Sequence, residues 1–393
     1  MRYIHRNTAQ GVVEALERGR NILLLGPRQT GKTTLVRALT HHRYLNLMNP
    51  EDRLRYESNP LGIISETKAL NKQLGIKPIV IVDEIQKLPQ ITDSIQILID
   101  ENIGQFILTG SSARKIKNLL PGRVLRFQLD PLSFTEIQSE QMDLTDLLIY
   151  GALPAIRTMD DLGFREQELE SYVTLYLKEE VRKEALVRNL GSFSNFLRLA
   201  SIESGNIINL RSIANEIGVS HTTISEYYRI LEDCMLAEKI QPLTHTVSRK
   251  RLTKAPKYLI FDLGVRRVAA KESSKPNLKQ MGYLFEQLIG LELLKIIRSM
   301  NSKATLLFWR DHAGPEIDYV LRYENAYVPI EVKWTSNPSQ KDIRHLKIFL
   351  EQYPEAKQGY LICQTPYTMA LSENIVAISW KDIQSIFTED AAF

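Results

Sequence analysis

Short apolar runs alternate with amphipathic stretches between residues 21 and 130. NILLL, HRYLNLM, KPIVIVDE, GQFILTGS and RVLRFQL each read as a strand. That alternation predicts a parallel sheet with helices on both faces. From about residue 131 to 203 the apolar spacing turns helical, as in DLLIYGALPAI and LESYVTLYLKEEV, and predicts a helical lid and connector. Between 206 and 242 two short helical patterns flank IGVS. Beyond 280 the order changes: an amphipathic helix, QMGYLFEQLIGLELLKIIRSM, is followed by strands ATLLFWR, PEIDYVLRY and YVPIEVKW, a helix QKDIRHLKIFLEQ and a strand QGYLIC. No internal repeat suggests a solenoid. The expectation is an α/β chain in units spanning 1–130, 131–205, 206–270 and 280–393.

Length and composition narrow this picture without redirecting it. A chain of 393 residues is too long for one ordinary core, and 44% hydrophobic with 24% charged residues is the balance of a folded protein rather than a disordered one. No apolar run reaches bilayer length, and MRYIHRNTAQ lacks the apolar core of a secretory signal, so the expected location is the cytoplasm, with no membrane partner. Cys234 and Cys363 have apolar neighbours and no second Cys or His at metal-ligand spacing, which predicts buried hydrophobes. A net charge of +4 is small for this length, so any basic surface must be local.

The first candidate chemistry follows the strand NILLL. Gly26-Pro27-Arg28-Gln29-Thr30-Gly31-Lys32-Thr33 matches the P-loop pattern G-x-x-x-x-G-K-[ST] and opens into the helical stretch TTLVRALTHH, which begins Thr33-Thr34. Its glycines let backbone N–H groups wrap a phosphate chain, and the helix N-terminus adds a favourable partial charge. Lys32 is placed to reach the outer phosphates and the Thr33 hydroxyl to ligate Mg²⁺. The strand PIVIVDEIQ ends in Asp83-Glu84, where Asp83 is expected to hold Mg²⁺ through water and Glu84 to polarise the attacking water. A GTPase needs N-K-x-D, and Asn71-Lys72-Gln73-Leu74 lacks the aspartate, so the expected cofactors are ATP and Mg²⁺.

The strings GPRQTGKTTL, IVDEIQ, LTGSSARKI, GRVLRFQLDPLSFTEI and YGALP, with KAPKYLIFDLGVRR and GYLFEQLIGLELLK further on, carry a resemblance over nearly the whole chain. The sequence resembles a family of bacterial and archaeal AAA+ ATPases whose C-terminal domain is related to restriction endonucleases. That resemblance implies a P-loop AAA+ core with a helical lid, a homo-oligomer, and further site residues. Thr109 or Ser111 falls where AAA+ proteins place a polar sensor of the γ-phosphate, with helix capping as the alternative. Arg123, after Pro121-Gly122, falls where they carry an arginine finger, with a solvated arginine as the alternative.

Two further units carry chemistry of their own. NLRSIANEIGVSHTTISEYYRILEDCMLAEKI reads as a helix-turn-helix with its turn over 216–220, small residues Ala214 and Gly218 at the close approach, and Ile224 between the helices. Arg249, Lys250, Arg251, Lys254 and Lys257 would then lie on a basic wing suited to phosphate contacts, while Glu226 and Glu232 on the second helix favour a protein-packing module. The C-terminal order has the core order of restriction-endonuclease-like nucleases. Glu286, Asp318 and Glu331 are its expected metal ligands, Glu316 a spare, and Lys333, sharing a strand face with Glu331, the expected activator of water. The resulting expectation is an ATP hydrolase coupling nucleotide state to DNA binding or processing. The alternative is an ATP-driven switch that binds a protein partner through an inactive nuclease-like scaffold.

Overall fold

The computed structural model describes residues 4–112, 120–137, 142–177, 190–244, 255–311, 314–324 and 326–387. The N-terminal unit is an α/β fold on a five-stranded sheet of β1 (Asn21–Leu25), β2 (Arg43–Asn46), β3 (Ile79–Asp83), β4 (Gln105–Gly110) and β5 (Val124–Gln128), ordered β2-β3-β4-β1-β5. Every pairing in it is parallel. Alternation along the strands builds two cores, because successive side chains point to opposite faces. Leu23, Val80, Val82, Phe106 and Leu108 face helices Gly62–Leu74 and Ile91–Asp100, whereas Ile22, Leu24, Ile81 and Ile107 face helices Asn7–Glu17 and Lys32–Ala38. This order also sets β4 between β1 and β3, so the end of β4 lies between the P-loop and Asp83.

The second sheet has eight strands, ordered β12-β13-β11-β10-β9-β8-β6-β7. They are β6 (Ala237–Pro242), β7 (Lys257–Ile260), β8 (Thr305–Arg310), β9 (Glu316–Tyr323), β10 (Ala326–Val332), β11 (Gly359–Cys363), β12 (Met369–Ser372) and β13 (Ile375–Ser379). Helix Leu278–Ser299, started by an Asn277–Gln280 capping box, covers one face through Leu284, Phe285 and Leu288 against Phe308, Tyr319 and Ile330. Helix Arg344–Gln352 covers the other through Leu346 and Phe349 against Trp309, Ile317 and Val320. Both cysteines are buried. No described helix is long and apolar enough to cross a membrane.

Two features were not anticipated from the pattern of the chain. The antiparallel pair β6–β7 is continuous with the C-terminal sheet, because Gln241 and Pro242 pair in parallel with Leu307 and Phe308 of β8. The segment 131–205, expected as one lid and connector, is divided between two cores. Leu132, Phe134, Leu147, Leu148 and Ala152 pack with helix Leu278–Ser299, while Leu153, Ile156, Leu169 and Phe196 pack with helices Leu210–Ile217 and His221–Asp233.

The boundary between these two cores is where YGALP and FDLGVRR meet. The buried Asp262 carboxylate caps helix Leu263–Ala270 by accepting from the Val265 N–H at 3.0 Å, and accepts from the Ala152 N–H at 2.7 Å. Gly264 lies so close to the Tyr150 carbonyl that a Cβ there would stand 2.3 Å from its oxygen, a contact between backbones that no rotamer change relieves. Gly264→Ala is therefore expected to lower unfolding free energy by about 1–3 kcal/mol through overpacking, read by urea denaturation. An unchanged midpoint would contradict this packing account.

Candidate functional site

The P-loop runs from β1 to helix Lys32–Ala38, and its backbone explains its composition. Gly31 has φ +94°, which favours glycine, and a Cβ on Gly26 would stand 2.3 Å from the Leu129 carbonyl oxygen. Thr30 donates to the Pro27 carbonyl at 2.9 Å and braces the loop from inside. The buried Lys32 ammonium folds onto the loop, donating at 2.8 Å to the carbonyls of Gly26 and Pro27. Thr33 and Thr34 are exposed on the first helical turn. Gln29, at φ 61°, donates through Nε2 to Glu168 at 2.9 Å, and its buried Oε1 has no hydrogen-bond partner.

Opposite the loop, Asp83 ends β3 with a carboxylate that gathers hydroxyls from other elements. Its Oδ2 accepts from Thr33 Oγ1 and from Tyr44 OH of β2, each at 2.7 Å, and its Oδ1 accepts from Thr109 Oγ1 at the end of β4. Burial, with the bond to Asp83 next, pushes the Tyr44 phenol well above its ordinary pKa, so that hydroxyl stays a donor. Glu84 follows at φ 62°, an uncommon backbone for a residue with a side chain, and its N–H donates to Thr109 Oγ1 at 3.0 Å. The Glu84 carboxylate accepts from Gln86 Nε2 at 2.6 Å and from Ser111 Oγ at 3.4 Å. Thr109 and Ser111 thus stand between the P-loop and the Asp83–Glu84 pair. These oxygens and the ammonium suit a triphosphate with Mg²⁺, since Thr33 and Asp83 already present adjoining oxygen atoms to one point.

Three partners of this site carry no sequence motif. Arg6 donates to the Thr30 carbonyl at 2.5 Å and to the Asp130 carbonyl at 2.6 Å, and stands 3.2 Å from Glu136. Glu168 and Tyr172 approach from the helical segment, Tyr172 OH donating to the Arg28 carbonyl at 3.3 Å. A parallel-sheet pattern gives no hint of them, because Asp130 and Glu136 lie more than a hundred residues from Arg6, as Gln29 and Arg28 do from Glu168 and Tyr172. Arg123 is half-exposed and grips Asp100 of its own chain with Nε at 2.7 Å and Nη2 at 3.0 Å. A role on a neighbouring subunit's nucleotide would need that pair to open.

In the middle unit, helices Leu210–Ile217 and His221–Asp233 enclose buried Ala214 and Ile224 as expected. Gly218 plays a different part from the close approach anticipated: it takes φ +77° to end the first helix, and no neighbour would crowd a Cβ there. Glu226 stands 3.6 Å from Arg229 on the exposed side, and Glu232 accepts from Tyr258 OH at 2.8 Å. Arg249, Lys250, Arg251 and Lys254 lie outside the described residues. Lys257 is corrected: only 3% exposed, it is no part of a basic surface, and its ammonium lies 2.8 Å from Glu316 and 3.3 Å from Glu286.

That lysine draws β7 into the C-terminal group. Glu286 comes from helix Leu278–Ser299, Glu316 and Asp318 from β9, and Glu331 and Lys333 from the end of β10. The β9–β10 ladder runs to Tyr319 opposite Ile330, after which the Asp318 carboxylate accepts from the Val332 N–H at 2.8 Å. Lys333 meets Glu331 at 2.6 Å, with Val332 turned into the core as expected. Burial, with the neighbouring Asp318 charge next, pushes Glu286 up to about 7 and raises Glu331 well above the usual carboxylate range; burial also raises Asp318. The predicted residues are neighbours, but not as a metal cage. Among the described residues no three His, Cys, Asp or Glu groups are placed to hold an ion, and the Lys257 and Lys333 ammoniums pair with Glu286, Glu316 and Glu331.

Comparison with known proteins places these observations. Residues 18–138 match the AAA domain family, while 141–275 and 281–383 match two domains of unknown function, DUF8612 and DUF4143. Two curated proteins described as uncharacterized, one from Mycobacterium tuberculosis and one from Mycobacterium bovis, are each 24% identical over 390 residues, covering 95% of this chain and 83% of theirs. Among solved structures, the Bacillus subtilis DNA clamp loader delta protein is similar at 12% identity, with 57% of this chain and 87% of that one covered and a TM-score of 0.25. PCH-2 of C. elegans shows 14% identity, coverage of 58% and 65%, and a TM-score of 0.25. The Pif1 helicase from Candida albicans shows 11% identity, coverage of 43% and 47%, and a TM-score of 0.23. The match to the AAA domain model shows that residues 18–138, which carry the P-loop, form a domain of the AAA type.

Proposed function

We propose that the chain is an Mg²⁺-dependent ATP hydrolase whose nucleotide state is passed from the P-loop to the helical segment against it, and so to C-terminal units that engage a protein partner. The observation that carries the catalytic part is the meeting of Thr33 and Asp83 at 2.7 Å beside the folded-back Lys32 ammonium. In this reading Gly26 to Thr34 cradle the phosphates, Lys32 exchanges its loop carbonyls for phosphate oxygens, and Thr33 and Asp83 hold the ion. Mg²⁺, when bound, neutralises charge on the outer phosphates. Glu84 orients and deprotonates water, with Thr109 and Ser111 keeping it in place and sensing the terminal phosphate.

The transmitting part rests on Gln29–Glu168 and Tyr172–Arg28, contacts that any movement of the P-loop toward a nucleotide must alter. The targets are a winged helix over 206–270 and an endonuclease-like unit over 280–393, supported by the helix-turn-helix with its β6–β7 pair and by the order helix, β8, β9, β10, helix, β11. A protein target is favoured over DNA because the second helix turns the Glu226–Arg229 pair outward and Lys257 is buried.

Lys32→Ala is expected to reduce ATP turnover to background and weaken binding, measured by phosphate release and calorimetry; near-normal hydrolysis would remove the assignment. Glu84→Gln should keep ATP binding and lower kcat by about 100-fold or more. Loss of binding in that variant would make Glu84 structural. Tyr172→Phe removes one hydrogen bond that favours the nucleotide-free loop, so ATP should bind about 5-fold more tightly, and an unchanged Kd would break the proposed link to the helical segment.

A further inference from the structure

Lys257 begins β7, where its main chain pairs with Ile240 of β6 and bridges to Ile207, yet its side chain crosses into the C-terminal unit. There the side chain is buried, with its ammonium 2.8 Å from Glu316, 3.3 Å from Glu286 and 5.0 Å from the centre of the Phe308 ring. Arg310 stands 3.4 Å from the other Glu316 oxygen, and Lys333 stands 2.6 Å from Glu331. Asp318 gives one oxygen to the Val332 N–H. Glu331 Oε2 is buried with no hydrogen-bond partner.

We infer that the Lys257 ammonium is the resident cation of this carboxylate group, standing where a divalent ion would have to stand, so that the group joins β7 to the C-terminal sheet as a charge latch instead of recruiting metal. An ammonium donates and cannot ligate, and it repels a divalent ion placed beside it. Four carboxyl groups face three cations, Lys257, Lys333 and Arg310, so most of their charge is already compensated within the protein. Removing one member of such a buried set leaves the others uncompensated, which gives the lysine its structural weight. The lysine also ties the latch to the middle unit: metal access to Glu286 and Glu316 requires the Lys257 ammonium to leave them. The inference concerns this group alone and does not depend on ATP hydrolysis.

The test uses full-length, nucleotide-free protein carrying Asp83→Asn to silence the P-loop, with Mn²⁺ as probe, followed by calorimetry and by the electron paramagnetic resonance of free Mn²⁺. With Lys257 present, no Mn²⁺ site sensitive to Glu331→Gln is expected. Lys257→Met, which keeps the side-chain length without the charge, should gain one Mn²⁺ site at least about tenfold tighter than any weak background, and adding Glu331→Gln should abolish it. Lys257→Arg, which keeps the charge, should remain without the site. Mn²⁺ binding by the Lys257 protein that Glu331→Gln removes would overturn the inference, and so would a folded Lys257→Met protein that gains nothing. If Lys257→Met does not fold, the first titration and Lys257→Arg still decide: a Glu331-dependent Mn²⁺ site in either overturns the latch, and its absence from both supports it.

Discussion

The N-terminal half turns on the Asp83 carboxylate. It is 2% exposed, and a buried anion persists only where donors surround it. Those donors arrive from separate elements: Thr33 from the P-loop helix, Tyr44 from β2 and Thr109 from β4. The strand order β2-β3-β4-β1-β5 makes this possible by flanking β3 with β2 and β4 and leaving the P-loop one strand beyond. A cation arriving between Thr33 and Asp83 would therefore act on the hydroxyls of three elements at once. Glu84, in its left-handed backbone and bonded to the same Thr109, cannot be indifferent to such a change.

The other end of the loop is tied to the C-terminal half by charges. Arg6 joins the Thr30 carbonyl to the Asp130 carbonyl, and Arg298, near the end of helix Leu278–Ser299, joins the Asp130 side chain at 2.8 Å to Glu238 of β6 at 2.6 Å. On the same helix, Glu292 accepts from the Phe134 N–H at 2.8 Å and Lys295 donates to the Leu132 carbonyl at 2.9 Å. The linker after β5 is thus fastened at several points by buried or half-buried ionic groups. Such groups are costly to leave unpaired, so the geometry of the junction is sharply specified. Contacts of this kind give a contiguous route from the P-loop to the C-terminal core, and coupling along it is a matter for measurement.

What the sequence disclosed follows the range of the interactions involved. The parallel strands, the P-loop and the Asp83–Glu84 pair are local signals, written in alternation and fixed spacing, and they recur in the structure at the expected positions. The face shared by Glu331 and Lys333 was legible for the same reason, because a strand repeats every two residues. The division of 131–205 between two cores was not, since both parts show the same helical periodicity and only packing partners distinguish them. Nor was Lys257: a lysine among basic neighbours reads as surface, and nothing short of the β6–β7 pairing shows that it faces Glu286 and Glu316. The strand β12 was missed because it is short and half-exposed at the sheet edge, and β13, buried between β12 and β11, because its apolar run is only five residues long.

Amide hydrogen exchange on the Glu84→Gln protein, with and without MgATP, tests most directly whether nucleotide binding and the helical segment are one system. Binding without turnover should slow exchange over 26–34 and, in the same samples, change it over 162–177, where Glu168 and Tyr172 meet the loop. Protection confined to 26–34, with 162–177 exchanging as in the nucleotide-free protein, would contradict the account.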